Sequence, residues 1–156
     1  MREAAGRSNG TAPAPQSEAD YAAWVKLFAE FWRTPKENLH LFREMMDPEI
    51  RLLAPGTRPT KGWEEGIAGF ERLLAALPDM TGKITRWSAT GETLFIEMTF
   101  AATVGGKKTE WKNVDRFLFR GAKAVERVAY FNPLKLYAAF LMSPSGIRQF
   151  LRLRRG

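Results

Sequence analysis

The chain has 156 residues, of which 45% are hydrophobic and 12% aromatic. This length and composition are typical of one globular domain and exclude a disordered chain. With no cysteine and one histidine, the sequence excludes disulfides and thiolate catalysis, and we expect no metal and no cofactor. No apolar run resembles a secretory signal or approaches the ~18 residues of a membrane span, so we expect a cytoplasmic protein.

The formal net charge of +7 is concentrated at one end of the chain. Four arginines lie in the last nine residues without an acidic neighbour, and removing them leaves +3. They are Arg148, Arg152, Arg154 and Arg155. We predict a basic C-terminal tail over residues 143–156, either as a solvated helix or in weak contact with an anionic membrane surface. We expect no nucleic-acid binding, because no recognised motif accompanies the charge.

The first half of the chain carries helix signals. Residues 1–16, rich in Ala, Gly and Pro, predict a disordered leader. Ser17-Glu-Ala-Asp20 is typical of a capping box that opens a helix with aromatic residues at helical spacing. Thr34-Pro35 predicts the start of a second helix, which Asp47-Pro48 would end. A third helix is expected over residues 63–77.

After the third helix the hydrophobic period changes to two, which predicts a meander of four antiparallel strands. The expected strands are residues 83–89, 92–104, 109–119 and 124–131. A short strand at 50–53 precedes them, and Asn132-Pro133 predicts a last helix to about Met142. The order predicts one α+β domain over residues 17–142, with helices on one face of a curved sheet.

The third meander strand has two polar residues on its apolar side. Side chains alternate faces along a strand, and one face carries Trp111, Asn113, Asp115, Phe117 and Phe119. A buried carboxylate is costly unless it is paired, so Asp115 requires a cation. Arg127 on the returning strand is the candidate partner.

The turn between these strands leaves two registers open. A three-residue loop over residues 120–122 places Asp115 opposite Arg127, whereas a two-residue loop places it opposite Val128. We favour the three-residue loop because it keeps Val125 inside and Glu126 outside.

The preceding hairpin supports the same choice of buried face. A tight turn at Gly105-Gly106 places Met98 opposite Asn113 and Ile96 opposite Asp115. The inner face of that strand is then apolar throughout, with Leu94, Ile96, Met98, Phe100 and Ala102.

Four segments, taken in order, resemble the nuclear transport factor 2-like superfamily and, within it, the SnoaL-like and ketosteroid isomerase-like proteins. They are Leu-Phe-Arg-Glu-Met-Met-Asp-Pro-Glu-Ile (41–50), Gly-Trp-Glu-Glu-Gly-Ile (62–67), Asp-Arg-Phe-Leu-Phe-Arg (115–120) and Val-Glu-Arg-Val-Ala-Tyr-Phe-Asn-Pro (125–133). The resemblance covers about residues 18–142. It implies a cystatin-like cone, in which a strongly curved, mostly antiparallel sheet wraps around a pocket and about three N-terminal helices cover it. It also implies a homodimer through the convex sheet face.

The resemblance also bears on the chemistry. The positions of the Asp-Arg-Asp set of related epoxide hydrolases hold Phe100, Met98 and Ala129, so we do not expect that activity. The place of the ketosteroid isomerase base falls near Leu53, which cannot abstract a proton. The carboxylic acid that serves those isomerases as an oxyanion donor corresponds to Asp115.

We therefore expect a domain that binds a small apolar or ring-shaped ligand. If it is an enzyme, it is an isomerase or cyclase that uses Asp115 as acid or base, with Arg127 in support. The expected ligand-binding lining is Trp63, Trp87, Met98, Phe100, Trp111, Asn113, Ala129 and Phe131. In the competing interpretation the protein is a non-catalytic binding or dimerisation module, and the Asp115–Arg127 pair is structural.

Overall fold

The computed structural model describes residues 16–155, which form five helices and a six-stranded mixed sheet that curves without closing. The elements are α1 (Glu18–Arg33), α2 (Leu41–Met45), β1 (Met46–Leu53), β2 (Thr60–Lys61), α3 (Gly62–Ala76), β3 (Thr81–Thr90), β4 (Thr93–Val104), β5 (Lys107–Arg120), β6 (Lys123–Tyr130), α4 (Pro133–Leu141) and α5 (Pro144–Arg154). The strand order is β2-β1-β6-β5-β4-β3, and β1 and β6 run parallel. The predicted α+β architecture is confirmed. Except for Gln16, the predicted leader lies outside the described residues.

Helix α1 begins at the predicted capping box and covers the inner face of the sheet. The Ser17 hydroxyl accepts a hydrogen bond from the Asp20 backbone N–H at 3.2 Å, and the Asp20 carboxylate accepts one from the Ser17 N–H at 2.9 Å. The Ser17 hydroxyl also donates to the Asp20 carboxylate at 2.7 Å, and this bond, together with the one from the Ser17 N–H, lowers the pKa of Asp20. The buried side of α1 consists of Tyr21, Trp24, Val25, Phe28, Phe31 and Trp32. The Trp24 ring centroid lies 4.8 Å from that of Phe117 on β5, so α1 fills the concave side of the sheet.

The second helix is shorter than predicted. Helix α2 has only five residues and begins at Leu41, so the prediction that Thr34-Pro35 starts it is wrong. Strand β1 already begins at Met46, so Asp47-Pro48 lies inside a strand. The prediction that this dipeptide ends a helix is therefore wrong. Proline cannot donate to a strand ladder, and it is tolerated here because the pairing of β1 with β6 is irregular between Met46 and Arg51.

The β4–β5 hairpin has the predicted register. Val104 pairs with Lys107, Met98 with Asn113 and Ile96 with Asp115. All five predicted inner residues of β4, from Leu94 to Ala102, are buried.

The predicted register of the β5–β6 hairpin is wrong. Arg120 pairs with Lys123, so the loop has two residues, and Gly121 adopts the positive φ of 61° that such a turn requires. The ladder then shifts at a β-bulge, where Val125 is left without a partner, and Asp115 pairs with Ala129. Asp115 is thus opposite neither Arg127 nor Val128.

The C-terminal segment read from sequence as a basic tail contains helix α5, which packs on α4 and α3. Gln149 attaches it to the core: its side-chain amide donates to the carbonyls of Ala76 and Thr103 at 3.1 and 3.0 Å. Its side-chain oxygen accepts from the Gly105 N–H at 2.8 Å. None of the helices within residues 16–155 has the length and apolar character needed to cross a bilayer.

Candidate functional site

Asp115 and Arg127 form an ion pair on the inner face of the sheet. The Arg127 Nη2 donates to the Asp115 Oδ2 at 2.8 Å. The Asp115 side chain is fully buried, whereas that of Arg127 keeps 12% of its exposure. Arg127 lies opposite Phe117 and reaches Asp115 diagonally, a distance that long side chains can span. The buried acid therefore has the cation that the sequence requires, although the strand register differs.

Aromatic rings surround this pair. The Arg127 guanidinium carbon lies 5.9 Å from the ring centre of Trp32 and 5.8 Å from that of Phe70, within cation–π range. The ring centroid of Trp32 lies 4.5 Å from that of Phe100, and the Phe100 centroid lies 5.6 Å from that of Trp111. An apolar wall of this kind lowers the local dielectric constant and strengthens the attraction between the two charges.

Four buried polar atoms in this region have no hydrogen-bond partner among the described residues. They are Asp115 Oδ1, Arg127 Nε, Asn113 Nδ2 and Trp32 Nε1. Three are N–H donors and one is an acceptor. Buried polar groups in native proteins are nearly always paired, and each unpaired one costs ~1–3 kcal/mol. These four unpaired atoms all lie on or near the Asp115–Arg127 pair.

Most of the predicted lining shares the inner face with the pair. Met98, Phe100, Trp111, Asn113 and Ala129 are buried there, and Phe131 is half-buried just beyond β6. Met98 pairs across the strands with Asn113, and Ala129 pairs with Asp115. These predicted residues are thus brought together by three neighbouring strands.

The two predicted tryptophans lie further from the pair. Trp87 on β3 pairs with Ile96 on β4, which in turn pairs with Asp115 on β5. Trp87 is therefore two strands, or roughly 10 Å, from Asp115. Trp63 lies near the start of β6, where its indole N–H donates to the Met46 carbonyl at 2.9 Å. The Lys123 ammonium lies 5.4 Å from the Trp63 ring centre.

Two cavities lie away from the ion pair. One of about 540 Å³ is lined by Gln16, Glu18, Tyr21, Trp87, Ser88, Ala89 and Gly91. Another of about 380 Å³ lies between α4 and α5. Neither has Asp115 or Arg127 among its lining residues.

Trp32 and Phe70 contact Arg127 but were not assigned to the site from sequence. Phe70 belongs to an ordinary apolar stripe of α3, and Trp32 follows Phe28 at helical spacing on α1. Spacing on one helix assigns a residue to the core but cannot identify which strand residue it will contact. The sequence therefore held no direct signal for either contact.

The site offers one carboxylate, one guanidinium, one amide and one indole N–H. Such a set can bind an oxygen-bearing group, and the carboxylate can accept a proton from it. Within residues 16–155 there is no group of three or more His, Cys, Asp or Glu side chains placed to hold a metal ion.

Sequence comparison identifies a family for this chain. A family model of the SnoaL-like domain matches residues 25–127, a span that contains both members of the ion pair. A search against curated proteins finds no significant match.

Solved structures share the fold at low sequence identity. A candidate SnoaL-like polyketide cyclase from Jannaschia sp. CCS1 has a TM-score of 0.74 and 17% identity, and the alignment covers 86% of this chain and 100% of that one. IdmH, a candidate polyketide cyclase from Streptomyces antibioticus, has a TM-score of 0.65 and 18% identity, with 76% and 96% covered. TerC, co-crystallised with polyporic acid, has a TM-score of 0.68 and 15% identity, with 77% and 96% covered. Since the family model spans more than half of the chain and the cone-shaped α+β fold is shared, the chain belongs to the SnoaL-like domain family of the nuclear transport factor 2-like superfamily.

Proposed function

We propose that this SnoaL-like domain binds a small ring-shaped ligand through an oxygen atom at the Asp115–Arg127 pair. The supporting observation is the set of four buried polar atoms without partners among the described residues. Because donors outnumber acceptors by three to one in this set, it suits a carbonyl or enolate oxygen. The excess of donors argues against a ligand whose only polar group is a cation.

The surroundings of the pair support a flat, apolar ligand body. Trp32 and Phe70 pack against the guanidinium of Arg127, so an incoming ring has to displace one of them and takes over its contacts. Arg127 is the partly exposed member of the pair, which supports entry from its side.

The structural neighbours support a ring-bearing ligand as well. Two of them are described as candidate polyketide cyclases, and a third was crystallised with polyporic acid. At identities of 15–18%, these neighbours show a shared fold but do not show a shared ligand, so the ligand class is part of the proposal.

The chemistry that we propose is proton transfer next to a carbonyl. Asp115 removes a proton from the carbon beside the carbonyl, the C–H electron pair forms a C=C bond, the C=O π pair moves to the oxygen, and an enolate results. The N–H groups of Asn113 and Trp32 stabilise this oxygen, and Arg127 holds the Asp115 carboxylate in position by donating to its Oδ2. Asp115 then returns the proton to another carbon of the same ligand. One such group contributes ~10²–10⁴-fold, which predicts slow turnover.

Binding is tested by calorimetry with polyporic acid, a hydroxyanthraquinone and a steroid ketone. We expect at least one of them to bind the wild type and to bind the Asp115→Asn variant at least tenfold more weakly. The matched control is Glu126→Gln, since Glu126 is an acid of the same hairpin that pairs with Arg116 at 2.7 Å on the outer face. This control should bind like the wild type.

The same variants distinguish a ligand-binding role of the pair from the competing interpretation, in which the pair is structural. If Asp115→Asn unfolds at a much lower temperature but binds the probes unchanged, the pair is structural and the domain is a non-catalytic module. Proton transfer is tested by NMR, as exchange of the acidic C–H of a bound ketone in deuterated buffer. Exchange at equal rates with wild type and Asp115→Asn would contradict the assignment of Asp115 as the base.

A further inference from the structure

Helices α4 and α5 expose an unusual number of apolar side chains. Five large hydrophobic residues are at least two-fifths exposed there: Leu134 (73%), Leu141 (61%), Met142 (80%), Ile147 (41%) and Leu151 (46%). Together with Arg148, Arg152 and Arg155 they form what we call the C-terminal face. Such a concentration of apolar surface beside positive charge is typical of an interaction site.

The C-terminal face is continuous across the two helices. Leu134 and Leu141 are seven residues apart, so they lie on the same side of α4, and Ile147 and Leu151 are one turn apart on α5. The two helices join at the cavity of about 380 Å³, which is lined by Leu141, Met142, Ser143, Pro144, Ile147 and Arg148.

The opposite side of α5 is fixed to the core, which holds the C-terminal face toward solvent. Gln149 bonds to α3 and to the end of β4, as described above. The ring centroid of Phe150 lies 5.6 Å from that of Tyr137 and 5.9 Å from that of Phe140. The exposed residues of α5 are therefore not available to cover the core of the same chain.

The charge of this region is positive throughout. From residue 127 to residue 156 the chain contains no Asp or Glu. Lys135 lies on α4, and Arg148, Arg152, Arg154 and Arg155 lie on or beside α5. A partner of opposite charge that also accepts apolar side chains would complement this surface.

We propose that the C-terminal face docks on an anionic lipid bilayer. Leucine, methionine and isoleucine side chains enter the interface between headgroups and acyl chains, and the arginines contact the lipid phosphates. A nucleic acid would satisfy the arginines, but it would leave Leu141 and Met142 without an apolar environment. The lipid surface satisfies both parts of the C-terminal face. This proposal does not depend on the ligand site at Asp115.

The test is sedimentation of the whole chain with vesicles, using phosphatidylcholine alone and phosphatidylcholine mixed with phosphatidylglycerol. We expect binding to the anionic vesicles only, weakened by added salt. Each arginine near an anionic surface strengthens binding roughly fivefold, so Arg148→Gln/Arg152→Gln/Arg155→Gln should weaken it by about a hundredfold.

A second variant, Leu141→Gln/Met142→Gln, should also release the protein from the vesicles, because it removes the inserted apolar groups. The charge-matched control replaces three exposed cations elsewhere, Lys26→Gln/Arg33→Gln/Lys36→Gln, and should bind like the wild type. Circular dichroism checks that every variant is folded.

Three results would overturn the proposal. One is that the wild type does not bind anionic vesicles at physiological salt. Another is that the control loses as much binding as the arginine variant, which would indicate attraction by net charge alone. The third is that Leu141→Gln/Met142→Gln binds anionic vesicles as well as the wild type does. If the wild type then also binds duplex DNA as tightly as the vesicles, the surface is a site for polyanions in general.

Discussion

Arg127 donates to Asp115 from the strand position opposite Phe117, two residues along β6 from Ala129, the cross-strand partner of Asp115. This diagonal contact exists because Val125 bulges out of the ladder. Without the bulge, a two-residue turn would place Arg127 opposite Arg116 on the outer face, and Glu126 would point inward. The ion pair therefore depends on the backbone irregularity as well as on its two residues.

Removing the cation should destabilise the protein severely. We expect Arg127→Met to lower the free energy of unfolding by about 3–5 kcal/mol, because it leaves the fully buried Asp115 carboxylate without a partner. The double variant Asp115→Leu/Arg127→Met should recover most of that loss, since it replaces the pair with apolar groups. Urea unfolding of the wild type, Arg127→Met, Asp115→Leu and the double variant measures the coupling energy between Asp115 and Arg127. Equal losses in the Arg127→Met and double variants would contradict this account.

Replacing the unpaired amide should stabilise the free protein. The Asn113 side chain is 3% exposed, and its Nδ2 has no partner within the described part of the chain. Asn113→Val is only slightly larger, suits a β-strand and removes this desolvated donor, so we expect the melting temperature to rise by roughly 2–4 °C. The same variant should bind the ring-shaped probes more weakly than the wild type. A lower melting temperature would show that the amide is satisfied in solution.

Asp79 should contribute stability that disappears in acid. The Thr103 hydroxyl donates to its carboxylate at 2.6 Å and the Thr103 N–H at 3.0 Å, and these bonds lower the pKa of Asp79 from its ordinary 3.8. A lowered pKa means that the charged form is favoured in the folded state. The contribution of Asp79 to folding stability is therefore complete above pH 3.8, its ordinary pKa. This contribution is lost as the pH falls through the lower pKa that Asp79 has in the folded protein.

Thermal melting of Asp79→Asn against the wild type measures this effect. We expect the variant to melt a few degrees lower at neutral pH and the difference to vanish well below pH 3.8. The exposed Glu71 provides the control, because Glu71→Gln should not show this pattern. A difference that is constant from neutral pH to strong acid would contradict the assignment.

The outer face of the sheet predicts a homodimer. Phe95 on β4 and Tyr130 on β6 are 41% and 51% exposed there, next to the half-buried Val114 and Val128. We expect the wild type to sediment as a dimer in analytical ultracentrifugation, and Phe95→Lys/Tyr130→Lys to sediment as a folded monomer. Leu141→Gln/Met142→Gln leaves this face intact and should remain dimeric. Loss of the dimer in that variant instead would assign the contact to the C-terminal face.

Much of the fold could be predicted because its signals are local. The capping box at Ser17 and the turn at Gly105-Gly106 act over a few residues, and the period-two pattern of β4 identifies its inner face. The β5–β6 register could not be predicted, because Val125 has no feature that distinguishes a bulged valine from a paired one. The end of the second helix was missed because parallel pairing with β6, a contact distant in sequence, extends β1 back to Met46.

The candidate site could be predicted only in part, for a related reason. Alternation along β5 identified Asp115 as a buried acid, and its need for a partner pointed to Arg127. The pairing survived a wrong register because the two-residue turn and the bulge together shift the ladder by an even number of positions. The contacts of Arg127 with Trp32 and Phe70 join three separate elements, and no pattern within one element contains them.

The contact between Gly146 and Phe140 has a consequence for the whole C-terminal end of the molecule. A side-chain carbon on Gly146 would lie 2.2 Å from the Phe140 carbonyl oxygen, so the crossing of α4 and α5 depends on a missing methyl group. Even alanine there would force the helices apart and strain the anchoring by Gln149. The buried Gly146 thus sets how α5 lies against α4. A single substitution at this position would change the orientation of all the arginines on α5.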